Sequence, residues 1–171
     1  MKYENFLKWW LVFTLVVIGF VFSLISGLPQ EIWNKDGSYL SAITFMIFVY
    51  YTIFCGNKIM SVESSKAPDQ AVLDKAKHGE EVLWFISEAC LNLGMLGTII
   101  GFVMMLAGFE GINVTDQSSI QKLLSALGNS MATALYTTLV GLVCGQVIKL
   151  EAFILATAID RAATKVADEK N

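Results

Sequence analysis

Four stretches of this chain carry no Asp, Glu, Lys, Arg or His: residues 9–28, 39–56, 89–109 and 123–148. A helix needs roughly 20 apolar residues to cross a hydrocarbon core of about 30 Å. Three of the stretches reach that length, and the second does so by continuing through 57–59. Their weight makes the 171-residue chain 55% hydrophobic, against about 45–50% in soluble domains. Within a bilayer only helices and closed barrels satisfy their backbone polar groups. Apolarity that is continuous rather than alternating points to helices. The chain therefore reads as an all-α membrane protein with four transmembrane helices, at about 7–28, 39–59, 89–109 and 123–148. Lys2 and Lys8 ahead of the first stretch fit a leader peptide. Its apolar run nevertheless exceeds the usual 7–15 residues, and Leu24-Ile25-Ser26-Gly27 is a poor cleavage site. It reads as a retained span.

Orientation follows from the basic residues. With the N-terminus inside, Lys2, Lys8, Lys58, Lys66, Lys75, Lys77, Lys149, Arg161, Lys165 and Lys170 face the cytoplasm, and only Lys35 and Lys122 lie outside. Both termini are expected in the cytoplasm. Trp9, Trp10, Trp33 and Trp84 fall at the expected membrane interfaces, where amphipathic rings prefer to sit. The 57–88 segment reads as a cytoplasmic loop. A helix start is expected at Pro68-Asp69, with an interruption at Gly79. Residues 149–171 stay compatible with helix and read as an extension of the fourth span into the cytosol. Thr115 or Asp116 is a plausible cap for a helix starting near Gln117.

The net charge of −3 and the lack of a basic cluster give no indication of nucleic acid. Cys55, Cys90 and Cys144 lie within or at the inner ends of spans, with no Cys-x-x-Cys, so neither a disulfide framework nor thiol redox chemistry is expected. His78 has no Cys or His nearby and reads as a solvated residue; no metal site is expected.

The first two spans are built from large residues, whereas the last two are punctuated by small ones. Gly94, Gly97, Gly101 and Gly108 mark the third; Ala126, Ser130, Ala134 and Thr138 recur at steps of four in the last, followed by Gly141 and Gly145. Such spacing lets helix backbones approach closely. Gly94, Gly97, Gly101, Ser130, Ala134, Gly141 and Gly145 are therefore the expected packing positions, and self-association around a shared axis is expected of these two helices. Thr98 and Thr138 are the polar groups placed on that axis. Each hydroxyl can also bond its own helix at the i−4 carbonyl, so packing alone accounts for a threonine there. Proton relays and coupled transporters keep a titratable group at membrane depth, and the four stretches have none. Any carboxylate that binds an ion must come from another chain.

The block LGMLGTIIGFVMML (93–106), followed by SMATALYTTLVGLV (130–143), resembles the MotA/TolQ/ExbB proton-channel family, closest to its MotA-like four-span branch. The resemblance implies a pentamer whose third and fourth helices line a central pore around two copies of a single-span partner. That partner, similar to MotB, ExbD or TolR, brings the ion-binding aspartate. It further implies a bacterial inner membrane location and rotation driven by the ion gradient, as in a stator. Thr98, Thr138 and the adjacent Thr137 match the pore-lining threonines, and Gly97, Gly101 and Gly141 the close-packing glycines. Two departures stand out. The 57–88 segment is far shorter than the large inner domain of flagellar stators, and Thr133 stands where ExbB and TolQ members carry a glutamate. The implied cargo is H+ or Na+, with no resident cofactor and no covalent catalysis. A holin-like or structural membrane protein acting without a partner is the alternative. A small multidrug-type transporter or a membrane enzyme is disfavoured by the missing carboxylates and metal ligands.

Overall fold

A computed structural model describes residues 4–35, 39–64, 70–107, 109 and 117–168. These form five helices: α1 (Glu4–Ile25), α2 (Leu28–Lys35), α3 (Leu40–Ser64), α4 (Gln70–Ala107) and α5 (Gln117–Asp168). There is no strand among the described residues. α1, α3, α4 and α5 are long and apolar enough to cross a membrane, as the uncharged stretches require. Pro68, Asp69, Gly108, Thr115 and Asp116 lie outside the described residues.

α1 stops where Gly27 adopts a left-handed φ of 73°, a conformation that glycine enters without a Cβ penalty. Its amide closes the helix by bonding the Leu24 carbonyl at 3.1 Å. The chain then re-enters helix at once, because Pro29 suits a first turn. The short α2 therefore occupies the connection between α1 and α3. Its Glu31 carboxylate accepts a hydrogen bond from the Tyr136 hydroxyl at 3.0 Å. Tyr136 lies 13 residues into the uncharged run of α5, so α2 sits beside the middle of that run. About 20 Å of the uncharged run continues past it at 1.5 Å per residue.

The expected loop at 57–88 is largely helix: α3 runs on to Ser64, and α4 begins at Gln70 and is unbroken. Gly79 does not interrupt it. Instead it is buried against Phe54 and Lys58 of α3, and packing there offsets the modest helix penalty of glycine. The segment expected to project from the last span is likewise no free tail. Ile148, Ala152, Leu155 and Ile159 of α5 pack with Ile59 and Val62 of α3 and Leu73, Ala76 and Leu83 of α4. The apolar core therefore lies at the lysine-rich end of the bundle. Elsewhere large apolar side chains point outward, as with Leu15, Ile18 and Phe22, each more than 60% exposed. This division is physical. Lipid tails are as apolar as leucine and give no drive to bury it, whereas a helix in water must hide its apolar stripe.

Not all the aromatic residues form an interface belt. Trp9 is buried, its ring resting on Gly56 of α3, which has no Cβ in the way. Trp10, one residue on, is exposed. Trp84 is half-buried on α4, with the Lys149 ammonium 5.1 Å from its ring centroid. His78 is exposed on α4, 3.9 Å from Glu81.

Candidate functional site

α4 and α5 run antiparallel and share the most extensive helix contact in the chain. On α4 the buried positions Ser87, Cys90, Gly94, Gly97 and Gly101 recur at alternating steps of three and four. On α5 the buried positions Ser130, Thr133, Thr137, Gly141 and Cys144 follow at steps of three, four, four and three. Because 3.6 residues make a turn, such stripes run nearly straight along both helices and can meet over their length.

The seam admits glycine because backbone faces backbone. A Cβ built on Gly141 would stand 2.7 Å from the Cys90 carbonyl and 2.8 Å from the Gly94 Cα; one on Gly145 would stand 2.8 Å from the Ser87 carbonyl. On Gly101 it would meet the Ala134 methyl at 2.7 Å and the Ser130 carbonyl at 2.8 Å. On Gly94 it would reach the Thr138 Cα at 3.3 Å, and on Gly97 it would overlap the Thr137 side chain. Gly94, Gly97, Gly101, Ser130, Ala134, Gly141 and Gly145 thus all meet across one seam inside a single chain. The close approach that the spacing signalled is made between α4 and α5, so the spacing itself carries no information about a second copy.

The threonines divide by their surroundings. Thr137 is buried in the seam against Gly97, and its hydroxyl bonds its own helix at the Thr133 and Ala134 carbonyls, at 3.0 and 3.1 Å. Thr133 is also buried and donates to the Asn129 carbonyl at 3.2 Å. Thr138 lies one step off the stripe and is half-buried. Its hydroxyl sits 2.9 Å from the Ala134 carbonyl and 3.1 Å from the Gly94 carbonyl across the seam. One proton serves two acceptors, and the oxygen's lone pairs stay available to a further donor or cation. Thr98 is half-buried and donates to the Met95 carbonyl at 2.6 Å; no described hydrogen bond joins it to α5. The structure therefore brings Thr137 and Thr138 to the seam and leaves Thr98 beside it.

The α5 stripe contains one residue that the motif reading passed over. Ser130, Thr137, Cys144, Glu151 and Ala158 follow one another at intervals of seven, and all five are buried. Glu151 has no exposed surface at all. The heptad interval was visible in the sequence, but a glutamate three residues past the uncharged run looks like a solvated flank until neighbouring helices cover it. Among the described residues no group of three His, Cys, Asp or Glu side chains could hold a metal ion, and the three cysteines are free and buried.

No curated protein and no solved structure matches the chain. The family model of the MotA/TolQ/ExbB proton channels matches residues 62–168, an interval that takes in α4, α5 and the whole glycine-lined seam. That match extends over more than half of the sequence and includes both motifs around Thr98 and Thr138, so the chain belongs to the MotA/TolQ/ExbB proton channel family.

Proposed function

We propose that this protein is the ring-forming subunit of an ion-driven membrane motor, working as a homopentamer around two copies of a single-span partner that supplies the ion-binding aspartate. The bacterial inner membrane is its location in this reading, with both termini in the cytoplasm. The observation that carries the proposal is the Thr138 hydroxyl, shared between the Ala134 and Gly94 carbonyls on a helix pair whose uncharged stretches hold no acid of their own. A hydroxyl in that position can donate to a partner carboxylate or accept from a protonated one, and its oxygen can replace a water on a dehydrated cation. It does so at lower cost than bare hydrocarbon. Thr98 offers a second hydroxyl one helix away, while Thr137 holds the wall of the site closed. The family match supports proton as the cargo. Thr133 in place of an acid, and the lack of a large domain between α3 and α4, argue for a load other than the flagellar rotor.

The test is ion flux in proteoliposomes holding this chain and its partner. Thr138→Val keeps the shape and removes the hydroxyl; flux falls by about tenfold or more, roughly 1.4 kcal/mol of barrier, while assembly persists. Thr138→Ser retains most of the flux. Unchanged flux in the valine variant rejects the role of Thr138. Leakage through the chain reconstituted alone favours the holin-like alternative.

A further inference from the structure

Glu151 lies past the last uncharged residue of α5, within the bundle at the lysine-rich end. No described residue bonds either of its carboxyl oxygens, and both are shielded from solvent. Two donors from two other helices face it: the Trp9 indole N–H of α1 and the Thr52 hydroxyl of α3. Both are buried, and neither has a hydrogen-bond partner of its own. From α3 the Cys55 thiol also approaches, its sulfur 3.6 Å from the backbone carbonyl of Glu151. Three helices thus bring their unpartnered polar side chains to one dry box.

The described cations nearby are engaged elsewhere. Lys8 of α1 pairs with Glu4 at 3.2 Å, and Arg161 of α5 pairs with the same carboxylate at 3.0 Å. Lys58 of α3 donates to the Lys75 carbonyl at 3.4 Å, and Lys149 of α5 lies over Trp84. Among the described residues no charged side chain of α4 bonds the Glu151 carboxyl. An ionised carboxylate here would be both unsolvated and unpaired, the arrangement that folded proteins avoid. The neutral acid keeps an oxygen for Trp9 and Thr52 to bond and carries no charge to strand.

We propose that Glu151 is a proton-binding site whose neutral form fastens α1 and α3 onto α5, and that release of the proton loosens this clamp. Its ligand is the proton of the solution at the lysine-rich end. α1 is the helix that responds, because the Trp9 ring closes the box from one side and rests on Gly56 from the other. The clamp is separate from the glycine seam and does not depend on ion conduction.

The test uses the full chain in lipid nanodiscs, followed by infrared spectroscopy and thermal unfolding as pH is varied. At neutral pH the wild type shows the carbonyl band of a buried protonated acid, which Glu151→Gln lacks. Above the ordinary glutamate range the native state holds one proton more than the unfolded chain. Stability therefore falls as pH rises, by about tenfold in the unfolding constant per pH unit, until the band is lost. Glu151→Gln shows no such slope. Thr52→Val removes a donor that favours the anion, so the band persists to higher pH. Absence of the band, the same slope in wild type and Glu151→Gln, or a band unmoved by Thr52→Val overturns the proposal.

Discussion

At Gly97 and Gly79 the same residue type answers two different needs. A Cβ on Gly97 would overlap the Thr137 side chain, which is itself fixed between two carbonyls of its own helix. One on Gly79 would meet Lys58 at 3.5 Å and the Phe54 ring at 3.6 Å, ordinary contacts made by side chains that can yield. Gly97→Ala should therefore destabilise the protein by about 1–3 kcal/mol through overpacking. Gly79→Ala should stabilise it by about 0.5–1 kcal/mol through helix propensity. Thermal unfolding in detergent compares the two, and equal shifts contradict the packing argument. The sequence marked Gly97 through its Gly-x-x-x-Gly spacing, whereas Gly79 looked like a helix breaker because nothing local shows that α3 crosses there. Thr137 and Thr138, adjacent in sequence, point to different surroundings for the simple reason that one residue turns the helix by about 100°.

α5 shows how one helix can serve two solvents. It has 52 residues, about 78 Å at 1.5 Å per residue, roughly twice what a bilayer takes. Its uncharged part needs no burial in lipid and gains from close backbone approach to α4. Its later turns need a buried face, which α3 and α4 supply. Leu155 has no exposed surface, so Leu155→Ala should cost about 2–5 kcal/mol. Asp160 on the exposed face should tolerate alanine within about 0.5 kcal/mol. Chemical or thermal unfolding of the two variants is the check; matching losses would mean that the late turns of α5 pack no core. The helical character of this segment was legible from its lack of Gly and Pro. Its burial was not, because the partners of Leu155 and Ile159 come from residues 59–83, far away in sequence.

The whole molecule is tied end to end. The Arg161 guanidinium meets Glu4 at 3.0 Å and the Asn5 side chain at 3.4 Å, holding the start of α1 beside the late turns of α5. Both partners are about half exposed, so the pair contributes little stability, but the contact requires the two ends to lie on one side of the membrane. Reporter domains fused to either terminus should both read as cytoplasmic, the side that the ten-to-two division of basic residues selects. A periplasmic signal from either fusion would invert or break this topology.

The number of spans and their helical form followed from the sequence alone, as did the small-residue spacing of the last two. Each rests on local physics: the length of an uncharged run, the backbone's need for internal hydrogen bonds, and a period near 3.6. Only the tertiary structure decided that the small residues meet inside one chain, that the 57–88 segment and the last turns of α5 build the core, and that Glu151 is sealed beneath Trp9 and Thr52. Those outcomes depend on which residues of separate helices stand at the same height, and pattern within one helix does not encode that register.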